Sequence, residues 1–365
     1  MDFSFSEEQQ AVSDLAKQIL EGTINPDRLK EMRANGDHLD RKAWQELANA
    51  GLLGIALPEE YGGADQGFVA ATLVLEQIGR NVAPVPVYAT LLGSLAVAQF
   101  GTDAQKQDLL PAAISGELIL SAALAEIGST PEDPYTTATQ SGDGWTLTGQ
   151  KDFVPAGIDA GRIVVSARTD DGVGLFLLDP TSSGVTVTRQ DVTNEIPEAR
   201  IELAGAPVEL LVQGREALEW LLQRAITGLC AIGIGVFDKE VRMTAEYTST
   251  RKQFDKPIAS FQAVGQRAAD AYIDAEAIRL TTWQAAWRLE NDLPAAAEVA
   301  AAKFWLAEGG QRVAAAAQHL HGGIGVDRDY PLHRYYLWAK WLQLNLGGAN
   351  QHLLKLGQIL ANEPV

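Results

Sequence analysis

The spacing of apolar residues predicts helices from Phe5 to about Leu118, because they recur every three to four positions there. Residues 6–9, SEEQ, have the pattern of a capped helix start. Further helices are predicted at DRKAWQELANAG and VAATLVLEQIGRNV, and the tracts LPEEYGGAD and APVPV predict loops. We therefore expect an all-α N-terminal domain over residues 1–118.

Near Ser121 the helical period gives way to short segments rich in β-branched residues and separated by turn residues. These segments are GWTLTGQKDFV, RIVVSAR, GLFLLDP, GVTVTRQ and ARIELAG. They predict a small, β-barrel-like domain over residues 119–211. After Gly205 the helical period returns in four long segments, which begin near Ala217, Phe261, Ala295 and Leu332. We expect a C-terminal four-helix bundle over residues 212–365, in a chain that is mainly α with a central β domain.

The amino-acid composition limits the classes of molecule that this chain is expected to bind. The chain has 46% hydrophobic and 21% charged residues, which is typical of a globular protein, and its formal net charge is -18. This acidity argues against binding to nucleic acid or to an anionic membrane surface. The single cysteine, Cys230, lies in an apolar run, so we expect it to be buried, and the acidic N-terminus lacks an apolar signal segment. We predict a cytoplasmic protein.

Two motifs could hold a polyanionic ligand against this acidic background. In RKQFDKPIASFQ, a helix break follows Arg251, whose guanidinium can fork to phosphate oxygens while Phe254 covers an aromatic ring. Taken alone, a surface helical hairpin with a stray arginine is the favoured interpretation. In HGGIGVDRDYPLHRYY, Gly322 and Gly323 lack a Cβ and would let backbone amides approach phosphate closely.

Together with the order of helices, sheet and helices, these two motifs resemble the acyl-CoA dehydrogenase family across essentially the whole chain. The resemblance implies an FAD-dependent tetramer that dehydrogenates an acyl-CoA and passes electrons to an acceptor like electron-transfer flavoprotein. It implies that five residues contact the FAD of a neighbouring subunit: Arg251, Gln253, Phe254, Phe261 and Gln262. It also implies that Gly322 and Gly323 approach the adenosine diphosphate part of FAD, near His319.

The position of the family's usual catalytic glutamate is occupied by Leu346, which cannot accept a proton. Some family members carry this base on an earlier helix, and the matching residues 223–226 contain no carboxylate. We therefore predict no catalytic residue in this chain. A Thr-Glu-Pro-like tract and a Lys-aromatic-Ser/Thr tract that face the flavin ring in the family also differ. Ala125, Ile127 and Pro155 depart from the pattern, while Glu126 and Lys151 keep it.

These departures resemble the heteromeric bacterial acyl-CoA dehydrogenases, in which two related chains pair and one carries the glutamate. Several such pairs act on steroid side-chain CoA thioesters, so fatty acid or steroid side-chain metabolism is implied. Two alternatives remain: a flavin-dependent monooxygenase on the same fold, and a non-catalytic stabilising subunit. Retention of Arg251 and the Phe261-Gln262 pair disfavours a purely structural chain.

Three further patterns predict no chemistry. The histidines at 319, 321 and 333 lack a carboxylate or cysteine at ligand spacing, so we predict no metal site. The sequence Ile232-Gly233-Ile234-Gly235 has no strand before it and predicts helix packing, not a Rossmann turn. No GxSxG nucleophile elbow occurs in the chain.

Overall fold

The computed structural model describes residues 4–142 and 144–362. Among these residues, six α-helices precede the first strand: α1 (Glu7–Thr23), α2 (Pro26–Asn35), α3 (Arg41–Asn49), α4 (Gly67–Asn81), α5 (Val87–Phe100) and α6 (Asp103–Ile114). Helix α1 begins at the predicted cap, where Ser6 Oγ accepts a hydrogen bond from the Gln9 amide and Gln9 returns one to the Ser6 amide. The sequence therefore located the helical N-terminal region correctly.

Seven strands follow: β1 (Leu120–Ala123), β2 (Thr137–Ser141), β3 (Gly144–Val154), β4 (Arg162–Thr169), β5 (Gly172–Leu178), β6 (Val185–Gln190) and β7 (Glu198–Gln213). The sheet runs β1-β4-β2-β3-β7-β5, β6 pairs with β7, and a further pairing of β4 with β5 closes the sheet on itself. Inward-facing Leu147, Phe176 and Ile201 are fully buried in its core. The predicted β-barrel-like domain is confirmed.

The α-helices and strands of the remaining described residues are α7 (Arg215–Thr250), the two-residue strands β8 (Lys252–Gln253) and β9 (Lys256–Pro257), α8 (Gln262–Glu290), α9 (Ala296–His321), α10 (Leu332–Leu344) and α11 (Ala349–Asn362). The four helices expected here begin within two residues of their predicted starts. The segment after Leu332 breaks at residues 345–348, where the family resemblance implies a turn and where Leu346 and Gly347 adopt φ of 51° and 102°. A glycine accommodates such a φ, whereas leucine is strained by it.

When residues are grouped by the contacts between their Cα atoms, the chain divides into two compact units. These units differ from the three domains predicted from sequence. The first comprises Met1–Ile19, Asn35–Ala71 and Pro84–Ala225, and the second comprises Leu20–Ala34, Thr72–Ala83 and Ile226–Val365. In the described part of the chain, α7 is long and apolar enough to span a membrane by length and composition. However, 89% of its most apolar window is buried, as in the core helix of a globular protein.

Within the second unit, α4 and α7 touch through glycines. A Cβ at Gly79 would lie 1.9 Å from the Ile232 carbonyl oxygen, and one at Gly235 would lie 1.9 Å from that of Glu76. Any larger side chain would push the helices apart. The glycines of the 232–235 tract therefore serve helix packing, as predicted, and Cys230 beside them is buried.

Candidate functional site

The Arg251 motif forms an exposed arm on the second unit. It consists of the β8–β9 hairpin and the first turns of α8, and none of residues 251–270 is buried. At the hairpin tip, Phe254 and Asp255 both have positive φ, and Phe254 is 84% exposed. Phe261 contacts the Phe254 ring edge-on at 6.2 Å and lies under the Lys256 ammonium at 4.4 Å. The aromatic side chains of the arm thus face away from the core of their own chain.

Arg251 has no ion-pair or side-chain hydrogen-bond partner among the described residues, and its side chain is exposed. Its backbone is held by bonds from its amide to the Tyr247 carbonyl (2.8 Å) and from the Ile258 amide to its own carbonyl (2.9 Å). The exposed side chains of Gln253 and Gln262 add amide donors nearby in sequence. A fixed backbone with an unpaired guanidinium, exposed amides and an open aromatic ring fits a pyrophosphate joined to a planar ring system.

The glycine turn begins where α9 ends at His321. Gly322 has φ 64° and ψ −140°, a conformation that requires glycine, and a Cβ at Gly322 or Gly323 would meet nothing within 4 Å. Both glycines and His319 are exposed. The turn therefore has open space into which a ligand phosphate could bring its oxygens close to the backbone.

The buried side chain of His321 holds the start of this turn in place. Its ring stacks on Tyr247 with centroids 4.5 Å apart, its Nδ1 lies 2.8 Å from the Ala317 carbonyl oxygen, and its Nε2 lies 3.2 Å from the Tyr330 hydroxyl. Because a carbonyl only accepts, Nδ1 carries the proton and Nε2 accepts from Tyr330. Burial lowers the pKa of His321, which keeps the ring neutral. This role accounts for His321 without a metal.

The turn at the family's base position is held by side chains that the sequence did not single out. The Leu346 carbonyl oxygen lies 2.9 Å from His352 Nε2, and the fully buried Lys303 donates to the Leu342 carbonyl at 2.9 Å. Lys303 thereby caps the end of α10, and burial lowers its pKa to about 8. The one available signal was a lysine inside the apolar tract AAKFWLA of α9.

The alternative base position on α7 is packed with side chains of the first unit. Arg224 is buried, and its guanidinium lies 3.7 Å from the Trp220 ring centroid and 5.8 Å from that of Phe68. The Tyr88 hydroxyl donates to the Ala225 carbonyl at 3.0 Å. At this position the chain presents a stacked cation, not a carboxylate.

In the β domain, the two retained residues Glu126 and Lys151 form a buried ion pair at 2.7 Å, with side-chain exposures of 4% and 0%. Burial lowers the pKa of Lys151 to about 8, although Glu126 opposes the shift. Burial would raise the pKa of Glu126, but the charge and hydrogen bond of Lys151 hold it below its ordinary value. The pair fixes the loop after β1, because Glu126 also accepts from the Thr136 amide at 3.1 Å.

The neighbouring polar side chains also bond within the β domain. Asp152 accepts from Arg200 Nε at 2.9 Å and from the Ile127 amide at 3.3 Å, and Ser121 donates to the Pro155 carbonyl. Two exposed side chains near them are apolar: Ile127 is 61% exposed and Phe153 is 41% exposed. These two side chains offer apolar contact area.

Comparison with known proteins agrees with this geometry. Models of the acyl-CoA dehydrogenase N-terminal, middle and C-terminal domains match residues 6–117, 122–202 and 213–360. The chain is 39% identical to the acyl-CoA dehydrogenase FadE27 of Mycobacterium tuberculosis, with 100% of both chains covered. The chain belongs to the acyl-CoA dehydrogenase family.

Two solved structures are also similar to this chain in sequence and in fold. A chain of the ChsE4-ChsE5 complex from Mycobacterium tuberculosis is 39% identical over 100% of both chains, with a TM-score of 0.95. A chain from a variant of the Tcur3481-Tcur3483 steroid ACAD is 42% identical, with a TM-score of 0.93, and 97% of this chain and 98% of that chain are covered. The predicted family, fold class, oxidoreductase class and FAD cofactor are confirmed.

Proposed function

We propose that this chain is one subunit of an FAD-dependent acyl-CoA dehydrogenase and that a related partner chain supplies the catalytic carboxylate. One contrast carries the proposal. The arm of residues 251–270 has no buried member, and its Arg251 has no ion-pair partner in the described ranges 4–142 and 144–362, whereas neither base position of this chain holds a carboxylate. A chain with only a structural role would have no need of an exposed guanidinium on the same arm as two aromatic rings.

FAD, when bound, accepts the hydride from the β-carbon of the thioester. In the proposed complex, the Arg251 guanidinium offsets the pyrophosphate charge of the partner's FAD, and Gln253, Phe254, Phe261 and Gln262 orient and cover it. Gly322 and Gly323 bring backbone amides to its adenosine diphosphate part beside His319. The α-proton goes to the partner's carboxylate, because Leu346 cannot accept it.

The substrate class and the cellular setting are part of the same proposal. We propose an acyl-CoA thioester as substrate, and the solved steroid ACAD makes a steroid side-chain thioester the first one to test. We further propose a heterotetramer, an acceptor like electron-transfer flavoprotein, a cytoplasmic location, and the domain division 1–118, 119–211 and 212–365.

Co-expression with a related acyl-CoA dehydrogenase chain from the same genome tests this function. The purified complex should be yellow and should reduce an artificial electron acceptor with an acyl-CoA, and the chain expressed alone should not. Replacing the partner's carboxylate by glutamine should abolish turnover while both chains still co-purify. Full activity of the isolated chain would contradict the proposal, and a complex that forms without any flavin would favour a purely stabilising role.

A further inference from the structure

Glu240 on α7 carries a fully buried carboxyl group that has no hydrogen-bond partner. The residue is 0% exposed, and neither carboxyl oxygen accepts a hydrogen bond from any residue that the structure describes. The hydroxyl one turn further along α7, that of Thr244, donates instead to the Glu240 backbone carbonyl at 2.7 Å. A carboxylate in this position would lose its hydration without compensation, so the side chain is stable there only as the neutral acid.

Glu240 lies on the face of α7 that packs against α9. Three positions before it, the Phe237 ring packs on Gly310 of α9, where a Cβ would lie 2.3 Å from the Cζ atom of that ring. Seven positions after it, the Tyr247 ring stacks on His321 at the end of α9. Residues spaced by three and by seven positions share one face of a helix, so Glu240 faces α9 between these two contacts.

The surface of α9 opposite Glu240 is apolar. The buried residues of α9 between Gly310 and His321 have only hydrocarbon side chains: Val313, Ala314, Ala316, Ala317 and Leu320. Ionisation of Glu240 would therefore place a negative charge against hydrocarbon. Water can hydrate that charge only if the two helices move apart, because protein interiors are too closely packed to admit it otherwise.

The arginines on the helices around this contact already bind other carboxylates. Arg80 on α4 donates to Asp238 at 2.6 Å and to Glu76 at 3.2 Å. Arg312 on α9 donates to both carboxyl oxygens of Asp274 on α8, at 2.6 Å and 2.8 Å. These guanidinium groups therefore do not offset a charge on the buried carboxyl group of α7.

The titratable side chains of α10 are also engaged elsewhere. The Tyr335 hydroxyl donates to the Arg80 carbonyl at 2.9 Å, and His333 Nδ1 lies 2.7 Å from the Tyr330 carbonyl oxygen. Burial, and then the charge of Glu240, raise the pKa of Tyr335, so its hydroxyl stays protonated. Burial raises the pKa of Glu240 itself well above its ordinary value.

We propose that Glu240 makes the contact between α7 and α9 pH-dependent: the neutral carboxyl group allows the two helices to pack, and the carboxylate that forms at high pH separates them. The folded chain holds the proton more tightly than the unfolded chain does. The stability linked to this proton is therefore complete below the ordinary pKa of a glutamate, and it is lost as the pH rises through the raised pKa of the folded state.

This contact requires neither FAD nor a partner chain, so it goes beyond the proposed function and can fail without it. It also bears on the glycine turn, because α9 ends at His321, where that turn begins. Separation of α7 from α9 would remove the stacking of Tyr247 on His321. The turn would then lose a contact that holds it in place.

Glu240→Gln tests the proposal, because glutamine keeps the size and polarity of the side chain but cannot ionise. Glu246→Gln, at an exposed glutamate of the same helix, is the matched control. The thermal midpoint of each full chain is measured by circular dichroism from about pH 5 to about pH 9. Over this range we expect the parent midpoint to fall by at least about 3 °C relative to that of Glu240→Gln, and Glu246→Gln to follow the parent.

Glu240→Met is a second variant, since it removes both carboxyl oxygens at a similar side-chain length. It should abolish the same pH dependence, and it carries the comparison if Glu240→Gln does not fold. Hydrogen exchange of the parent and of a Glu240 variant, compared at one high pH, locates the change. We expect the parent to be the less protected of the two in residues 310–321 of α9.

Parallel midpoint curves for the parent and the Glu240 variants would overturn the proposal. So would a difference in hydrogen exchange that lies outside α7 and α9, because ionisation would then act on another contact. Either result would leave the proposed dehydrogenase function untouched, since flavin content and turnover do not enter these measurements.

Discussion

Replacing Arg251 by alanine should weaken FAD binding to the complex by about 10- to 150-fold, equivalent to the roughly 1.5–3 kcal/mol of a charge-assisted hydrogen bond. The guanidinium has no partner among the residues that the structure describes, so its removal leaves no buried partner there and costs little folding stability. The loss should appear as FAD released on dilution, measured from flavin fluorescence after gel filtration.

A matched control is Arg189→Ala, which removes an exposed arginine from β6 whose partner is the nearby Asp191. This variant should retain flavin as the parent does. Equal flavin retention by Arg251→Ala and the parent would show that the arm does not hold the pyrophosphate.

Glu126→Gln should lower the free energy of unfolding by about 3–5 kcal/mol, because it leaves the Lys151 ammonium buried without its counter-charge. Urea denaturation followed by circular dichroism measures the change. A double variant, Glu126→Leu with Lys151→Met, should recover much of the loss, since replacing both charges by apolar groups leaves no unpaired ion. A loss below about 1 kcal/mol in Glu126→Gln would contradict a structural role for this pair.

The order of the secondary structure was predictable because it rests on periodicity. The segments RIVVSAR and GVTVTRQ became β4 and β6, and the four C-terminal helices begin close to their predicted starts. The exposed arm was partly predictable as well. The family resemblance implied that Arg251 contacts the FAD of a neighbouring chain, but only the structure shows that the whole stretch from 251 to 270 is unburied.

Contacts between residues far apart in the chain could not be predicted from local patterns. No sequence pattern near Arg224 indicates that its guanidinium lies over the ring of Phe68, which is more than 150 positions earlier in the chain. Lys303 similarly donates to a carbonyl oxygen 39 positions away at the end of α10. A single lysine in an apolar tract does not indicate which carbonyl accepts its hydrogen bond.

The number of FAD molecules in the purified complex is the most direct test of the claim that two unlike chains together form one flavin site. This chain is proposed to supply the arm that reaches a neighbour's FAD, and the partner is proposed to supply the flavin-ring contacts and the carboxylate. Absorbance of released flavin against the molar amount of each chain should give one FAD for each pair of unlike chains. One FAD for every chain would contradict the account, because this chain would then hold a complete flavin site of its own.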